Sequence, residues 1–186
     1  MDILRAARQR LDFAAEGWND YLLGGSRRPS GLHNFVTHGR GVTFVIQNLR
    51  GKANGFDDWY SVIEKRLRAD PVCVWFKDLR NQMEKQGRAE TASAFMGASF
   101  SPDDLMRSAP PGTVGIGIGD SWGRSQYNVQ LADGSVTEVY FTVPDWVGSV
   151  TTYVKGAPDG RPIEELGAHY LAVLEDILDD AESSFG

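Results

Sequence analysis

A chain of 186 residues is long enough for one domain with its own core, and 41% apolar residues with five Trp, six Tyr and nine Phe exclude disorder throughout. The formal net charge of −6 excludes a broad basic footprint for non-specific DNA binding, although a local arginine patch could still hold a phosphate. A lone cysteine, Cys73, excludes an internal disulfide, and its apolar neighbours mark it as a small buried hydrophobe.

From Ile3 to Leu23 the positions Leu4, Ala7, Leu11, Ala14, Trp18, Tyr21 and Leu22 keep helical spacing, and Gly24-Gly25 supplies a stop. A second helix is predicted from Ser30 to Arg50 on the stripe Leu32, Phe35, Val36, Val42, Val45, Ile46 and Leu49; Gly39 and Gly41 let a neighbouring backbone come close. A third begins near Phe56 and carries Trp59, Tyr60, Ile63 and Leu67. The fourth is the best punctuated: Asp70 suits the N-cap, Pro71 the first helical position, and Val72, Trp75, Phe76, Leu79 and Met83 form an apolar stripe. Arg80 falls on the edge of that stripe and Asn81 on the far side, so the helix carries polar groups at the rim of a core. Short connections between consecutive helices favour antiparallel neighbours.

After Gly87 the pattern turns to glycine, small and β-branched residues, as in Thr91 to Phe100 and Thr113 to Gly119, with Ser101-Pro102-Asp103-Asp104 as the cap and first turn of a short helix. Asp133-Gly134 between the alternating runs Tyr127 to Leu131 and Val136 to Val143 predicts a hairpin, and with it one small antiparallel sheet of two to four strands. Arg161-Pro162 opens a last helix with Ile163, Leu166, His169 or Tyr170, Val173, Leu174, Ile177 and Leu178 on its stripe. The expected fold is mainly α, in a single domain. Four helices lie in residues 1–87, a β-rich insertion in 88–150, and a C-terminal helix in 161–184 returns to an antiparallel bundle of about five helices.

The run Phe76-Lys77-Asp78-Leu79-Arg80-Asn81 resembles the motif-bearing helix of the HEPN superfamily, whose ribonuclease members carry Arg, usually a polar residue such as Asn after it, and a His four to six residues beyond the Arg. Where that family has its histidine, this sequence has Lys85, followed by Gln86 and Gly87. The resemblance implies a HEPN-like bundle, a homodimer, and a composite cleft that cuts RNA without a metal or cofactor in active members. Such chemistry asks for a cation against the developing phosphorane charge and an imidazole to move a proton near neutral pH. Arg80 suits the first task, but a lysine is ordinarily protonated at neutral pH and has no lone pair to offer. The first reading is therefore a catalytically degenerate HEPN-like protein that serves as a ligand-binding or protein-interaction module, with RNA or a nucleotide as the ligand class. Its candidate residues are Arg80, Asn81, Glu84, His38 and Arg40 for binding, and Arg80, Asn81 and Lys85 should any catalysis remain. Two other readings stay open: a metal-independent endoribonuclease of a toxin or defence system that borrows His38 or His33, and a structural subunit whose Arg80 pairs with Glu84 one turn along.

The remaining signals are plainer. His33 and His38 lie about 140° apart around a helix and do not share a face as a metal pair would, so no metal site is expected. In Gly115-Ile116-Gly117-Ile118-Gly119-Asp120 the dinucleotide-binding spacing fails, and the run reads as a strand with a glycine face covered by the ring of Trp122 or Trp146. The acids Glu175, Asp176, Asp179, Asp180 and Glu182 read as a solvated helix face. No apolar run is long enough to span a bilayer, and Arg5, Arg8 and Arg10 stand where a signal peptide would need its apolar core; the expected place is the cytoplasm, with no membrane partner.

Overall fold

The apolar stripes become helices where their spacing places them. A computed structural model describes residues 3–97 and 101–186. In chain order it contains α1 (Ile3–Leu23), α2 (Arg28–Ile46), α3 (Phe56–Ala69), α4 (Pro71–Gln86), β1 (Thr91–Gly97), α5 (Pro102–Met106), β2 (Thr113–Gly117), β3 (Ser125–Gln130), β4 (Val136–Phe141), β5 (Gly148–Val154) and α6 (Ile163–Phe185). The protein is mainly helical with small antiparallel sheets. Helix α2 starts before Ser30 because Gly24 and Gly25 absorb the turn at positive φ and Pro29 fits the first turn; it ends at Ile46, and Gln47–Leu49 tighten into a 3-10 turn.

Helices α1 and α2 form the most extensive pair in the bundle. They approach through Gly17 and Gly31, where each glycine lies against the other helix's backbone. At the centre the rings of Trp18, Phe35, Phe76 and Tyr170 bring together α1, α2, α4 and α6. Trp59 Nε1 donates to Asp180, Arg66 pairs with Asp176, and Arg8 binds both Asp179 and Glu182. The acidic face of α6 is solvent-exposed, as its pattern suggests, and four of its five carboxylates also tie the helix to α1 and α3. Those ties have no local signal, because the partners lie more than a hundred residues away.

Helix α4 begins as its sequence requires. The Asp70 carboxylate accepts from the amides of Val72 at 2.8 Å and Cys73 at 3.1 Å, and also contacts His169 Nε2 on α6 at 2.7 Å. Partial burial, the largest single influence, pushes the Asp70 carboxyl up, but the bonds from His169, Cys73 and Val72 together outweigh it and hold it below its ordinary range. Asp70→Ala is expected to cost about 1 kcal/mol at neutral pH, read by urea denaturation. Because the folded carboxyl is the stronger acid, this contribution is present above its ordinary pKa and fades as pH falls through the folded value, so the two proteins should converge in strong acid.

The β-rich insertion differs from the single sheet predicted. It forms two sheets: a ribbon of β1 and β5, registered from Thr91↔Val154 to Gly97↔Gly148, and a three-stranded sheet in the order β2-β3-β4. The Asp133-Gly134 turn joins β3 to β4 as expected, with Gly134 at φ 85°. The pairing of β1 with β5 spans the whole insertion and has no local signal. The run expected to be strand-like up to Phe100 ends its observed strand at Gly97, and residues 98–100 lie outside the described residues. The glycine face of β2 is covered by the side chains of Asn128 over Gly115 and Gln126 over Gly117, in place of a tryptophan ring. Those two residues alternate with Tyr127 on β3, so the face opposite the aromatic one fills the glycine gap.

A buried arginine fastens the insertion to the bundle. Arg28, at the start of α2, donates to Trp122 O and Thr152 Oγ1, both at 2.8 Å, pairs with Glu164 at 3.4 Å and lies over the Tyr21 ring.

Candidate functional site

Along α4, Cys73, Lys77, Arg80 and Glu84 repeat at three- and four-residue spacing and share one stripe beside the apolar face. Arg80 is loosely held there. Its Nη2 is 3.9 Å from Glu84 Oε1, its Nη1 donates to Asn81 Oδ1 at 3.4 Å, and its Nε is buried with no hydrogen-bond partner among the described residues. At those distances the pair with Glu84 is a weak surface contact, and Asn81 lies on the exposed side next to it. Lys85 is exposed in the last turn, one residue short of the Gln86 that ends the helix.

The histidines are committed elsewhere or exposed. His38 Nδ1 lies 3.0 Å from Arg10 Nη1 and its ring packs against Phe13, so it faces α1. Burial lowers its pKa, and the nearby Arg10 charge lowers it further. His169 belongs to the α4 cap through Asp70, and His33 is exposed on α2. The structure therefore separates His38 from the α4 stripe. Among the described residues no group of three or more His, Cys, Asp or Glu is placed to hold a metal ion, and no helix is long and apolar enough to cross a membrane.

Arg40, on the opposite side of α2 from His38, opens into a cavity of about 390 Å³ bounded by α2, α3, α4 and α6. Tyr60 and Leu67 of α3, Cys73 and Lys77 of α4 and Tyr170 of α6 line it with Arg40. Arg40 Nη1 donates to Thr43 Oγ1 at 2.6 Å, and its guanidinium stacks 4.0 Å above the Phe44 ring. Burial pushes the Cys73 thiol up to about 12, with the Asp70 charge adding to it, so Cys73 is an inert wall residue. Burial also raises the phenols of Tyr60 and Tyr170, which stay protonated. Arg80 does not line this cavity; it lies one turn beyond Lys77 on the same helix. Sequence reading singled out Arg40 and Arg80 but missed Lys77 and Tyr170. The spacing of Lys77 from Arg80 was the available signal for the first, while Tyr170 joins only through the packing of α6.

Comparison with known proteins matches the segment that holds most of these groups. Residues 29–101 match the family of bacteriophage lambda protein ea47. Over 64 residues the chain is 44% identical to Protein ea47 of Escherichia phage lambda, which is 33% of this chain and 15% of that protein. The chain thus spans a small fraction of the length of the curated relative it matches. No solved structure matches it significantly. The family match takes in α2, α3, α4 and β1, with Arg40, Lys77 and Arg80 among its residues; the α6 wall of the cavity lies outside it.

Proposed function

We propose that this chain is a HEPN-like module, silent in catalysis, that holds a phosphate of RNA or a nucleotide on the α4 face, with Arg80 and Asn81 as its polar site. The state of Arg80 carries the reading. Arg8 and Arg66 each reach a carboxylate within 2.6 Å, whereas Arg80 has a weak partner at 3.9 Å and an idle buried donor. A guanidinium with unused donors at the edge of a rigid helix is suited to a bidentate phosphate contact. The proton-transfer half of the ribonuclease chemistry has no group in the matching place, since Lys85 stands there exposed and His38 and His169 are engaged with Arg10 and Asp70. A homodimer and a cytoplasmic setting belong to the same reading.

Fluorescence anisotropy with a labelled single-stranded RNA tests it. Arg80→Ala is expected to weaken binding about ten-fold or more, as loss of a charged hydrogen bond does, and to flatten the salt dependence. If Arg80 only tied helices together, the variant would lose stability and bind RNA as the wild type does.

A further inference from the structure

The cavity beside Arg40 carries an inference separate from the Arg80 site. Three cationic side chains, Arg40, Arg68 and Lys77, line it against one carboxylate, Glu64, in a chain whose formal net charge is −6. Glu64 is bound to Arg68 at 2.7 Å. Lys77 contacts its neighbour Asp78 at 3.4 Å, an exposed pair of little strength. Arg40 has no carboxylate partner among the described residues; its contacts are the Thr43 hydroxyl and the Phe44 ring. A partly buried arginine in the wall of a cavity, with no carboxylate partner of its own, is a standing attraction for an anion.

The rest of the lining is of another kind. Leu67, Val74 and Leu174 are apolar, and Tyr170 lies among them at 4% exposure. The Tyr170 ring fits because α2 has Gly39 there, whose Cβ would fall 2.9 Å from Tyr170 Cε1. Its hydroxyl has no hydrogen-bond partner among the described residues and is not sealed from solvent, which leaves it free for a ligand. A volume of about 390 Å³ is of the size that holds one small molecule.

We propose that this cavity binds a small amphipathic organic anion, with its phosphate or carboxylate on Arg40 and Lys77, its apolar or aromatic body on Leu67, Val74 and Leu174, and a polar atom of that body on the Tyr170 hydroxyl. The ligand chemistry is shared by a nucleoside monophosphate and a medium-chain acyl carboxylate, and the test separates the two.

Isothermal titration of the full chain with adenosine monophosphate and with octanoate is compared with adenosine, octanamide and inorganic phosphate. At least one organic anion is expected to bind about ten-fold or more tightly than both its uncharged counterpart and free phosphate. Arg40→Gln should weaken that binding about ten-fold, while Arg88→Gln, an exposed charge outside the cavity, leaves it unchanged. Lys77→Gln, on the exposed rim, gives a second reading independent of any folding defect in Arg40→Gln. The proposal is overturned if neither anion binds, if the uncharged analogues bind equally well, or if the folded Arg40 and Lys77 variants both bind as the wild type does. Because RNA binding by Arg80 is measured separately, that reading stands or falls on its own.

Discussion

Phe35→Ala is expected to remove about 3–5 kcal/mol of stability, a large part of what a domain of this size ordinarily has. Phe35 is fully buried, and its ring centre lies 4.9 Å from Trp18, 5.4 Å from Phe76 and 5.8 Å from Tyr170. Truncation therefore strips apolar area from three helices facing α2 and leaves a void that none of them can close alone, because each is held by its own contacts: Phe76 stacks on Tyr170 at 4.5 Å, and Trp18 on Tyr21 at 5.2 Å. Urea denaturation followed by tryptophan fluorescence measures the loss. A change below about 1 kcal/mol would mean that the junction of α1, α2, α4 and α6 is not the centre of the core.

The second large effect is steric. A Cβ on Gly31 would lie 2.5 Å from the Tyr21 amide nitrogen, 2.8 Å from Gly17 O and 3.0 Å from the Asp20 carbonyl carbon. These are backbone atoms of α1 and cannot turn aside, so Gly31→Ala must push the two helices apart. The expected cost is about 3 kcal/mol, despite the gain in helix propensity of about 1 kcal/mol that alanine brings. Gly41→Ala is the matched control on the same helix. Its Cβ would meet the flexible Arg10 side chain at 3.3 Å, and this variant should be neutral or slightly stabilised. Equal behaviour of the two variants in thermal denaturation would refute the close α1–α2 contact.

These two positions also show what the sequence could reveal. Phe35 stood out by period alone, because a helix's apolar face is written in residues three and four apart, and the five long helices lie close to where their stripes place them. The Asp133-Gly134 hairpin was equally legible, since its turn chemistry is local. The close approach of helices was read at Gly39 and Gly41, but the tightest backbone contacts are at Gly17 and Gly31, a matter of which faces meet. The ribbon of β1 and β5 was hidden for the same reason: its partners are brought together by the intervening chain. The site divides in the same way. Arg80, Asn81 and Glu84 share one helix and could be found from spacing. The Arg40 cavity draws its walls from four helices, and its Tyr170 wall gave no local sign. His38, placed with Arg40 when the chain was read in one dimension, faces α1 instead.

The most direct test of the functional account is incubation of a labelled structured RNA in chelator with the wild-type protein, Arg80→Ala and Lys85→Ala at matched concentrations. Each mixture is examined both for complex formation and for strand cleavage. The account predicts intact RNA in every sample, a shifted complex with wild type and Lys85→Ala, and a weakened one with Arg80→Ala. Cleavage by the wild type that disappears in the folded Arg80→Ala protein would contradict it and place an active centre on α4 without the expected histidine.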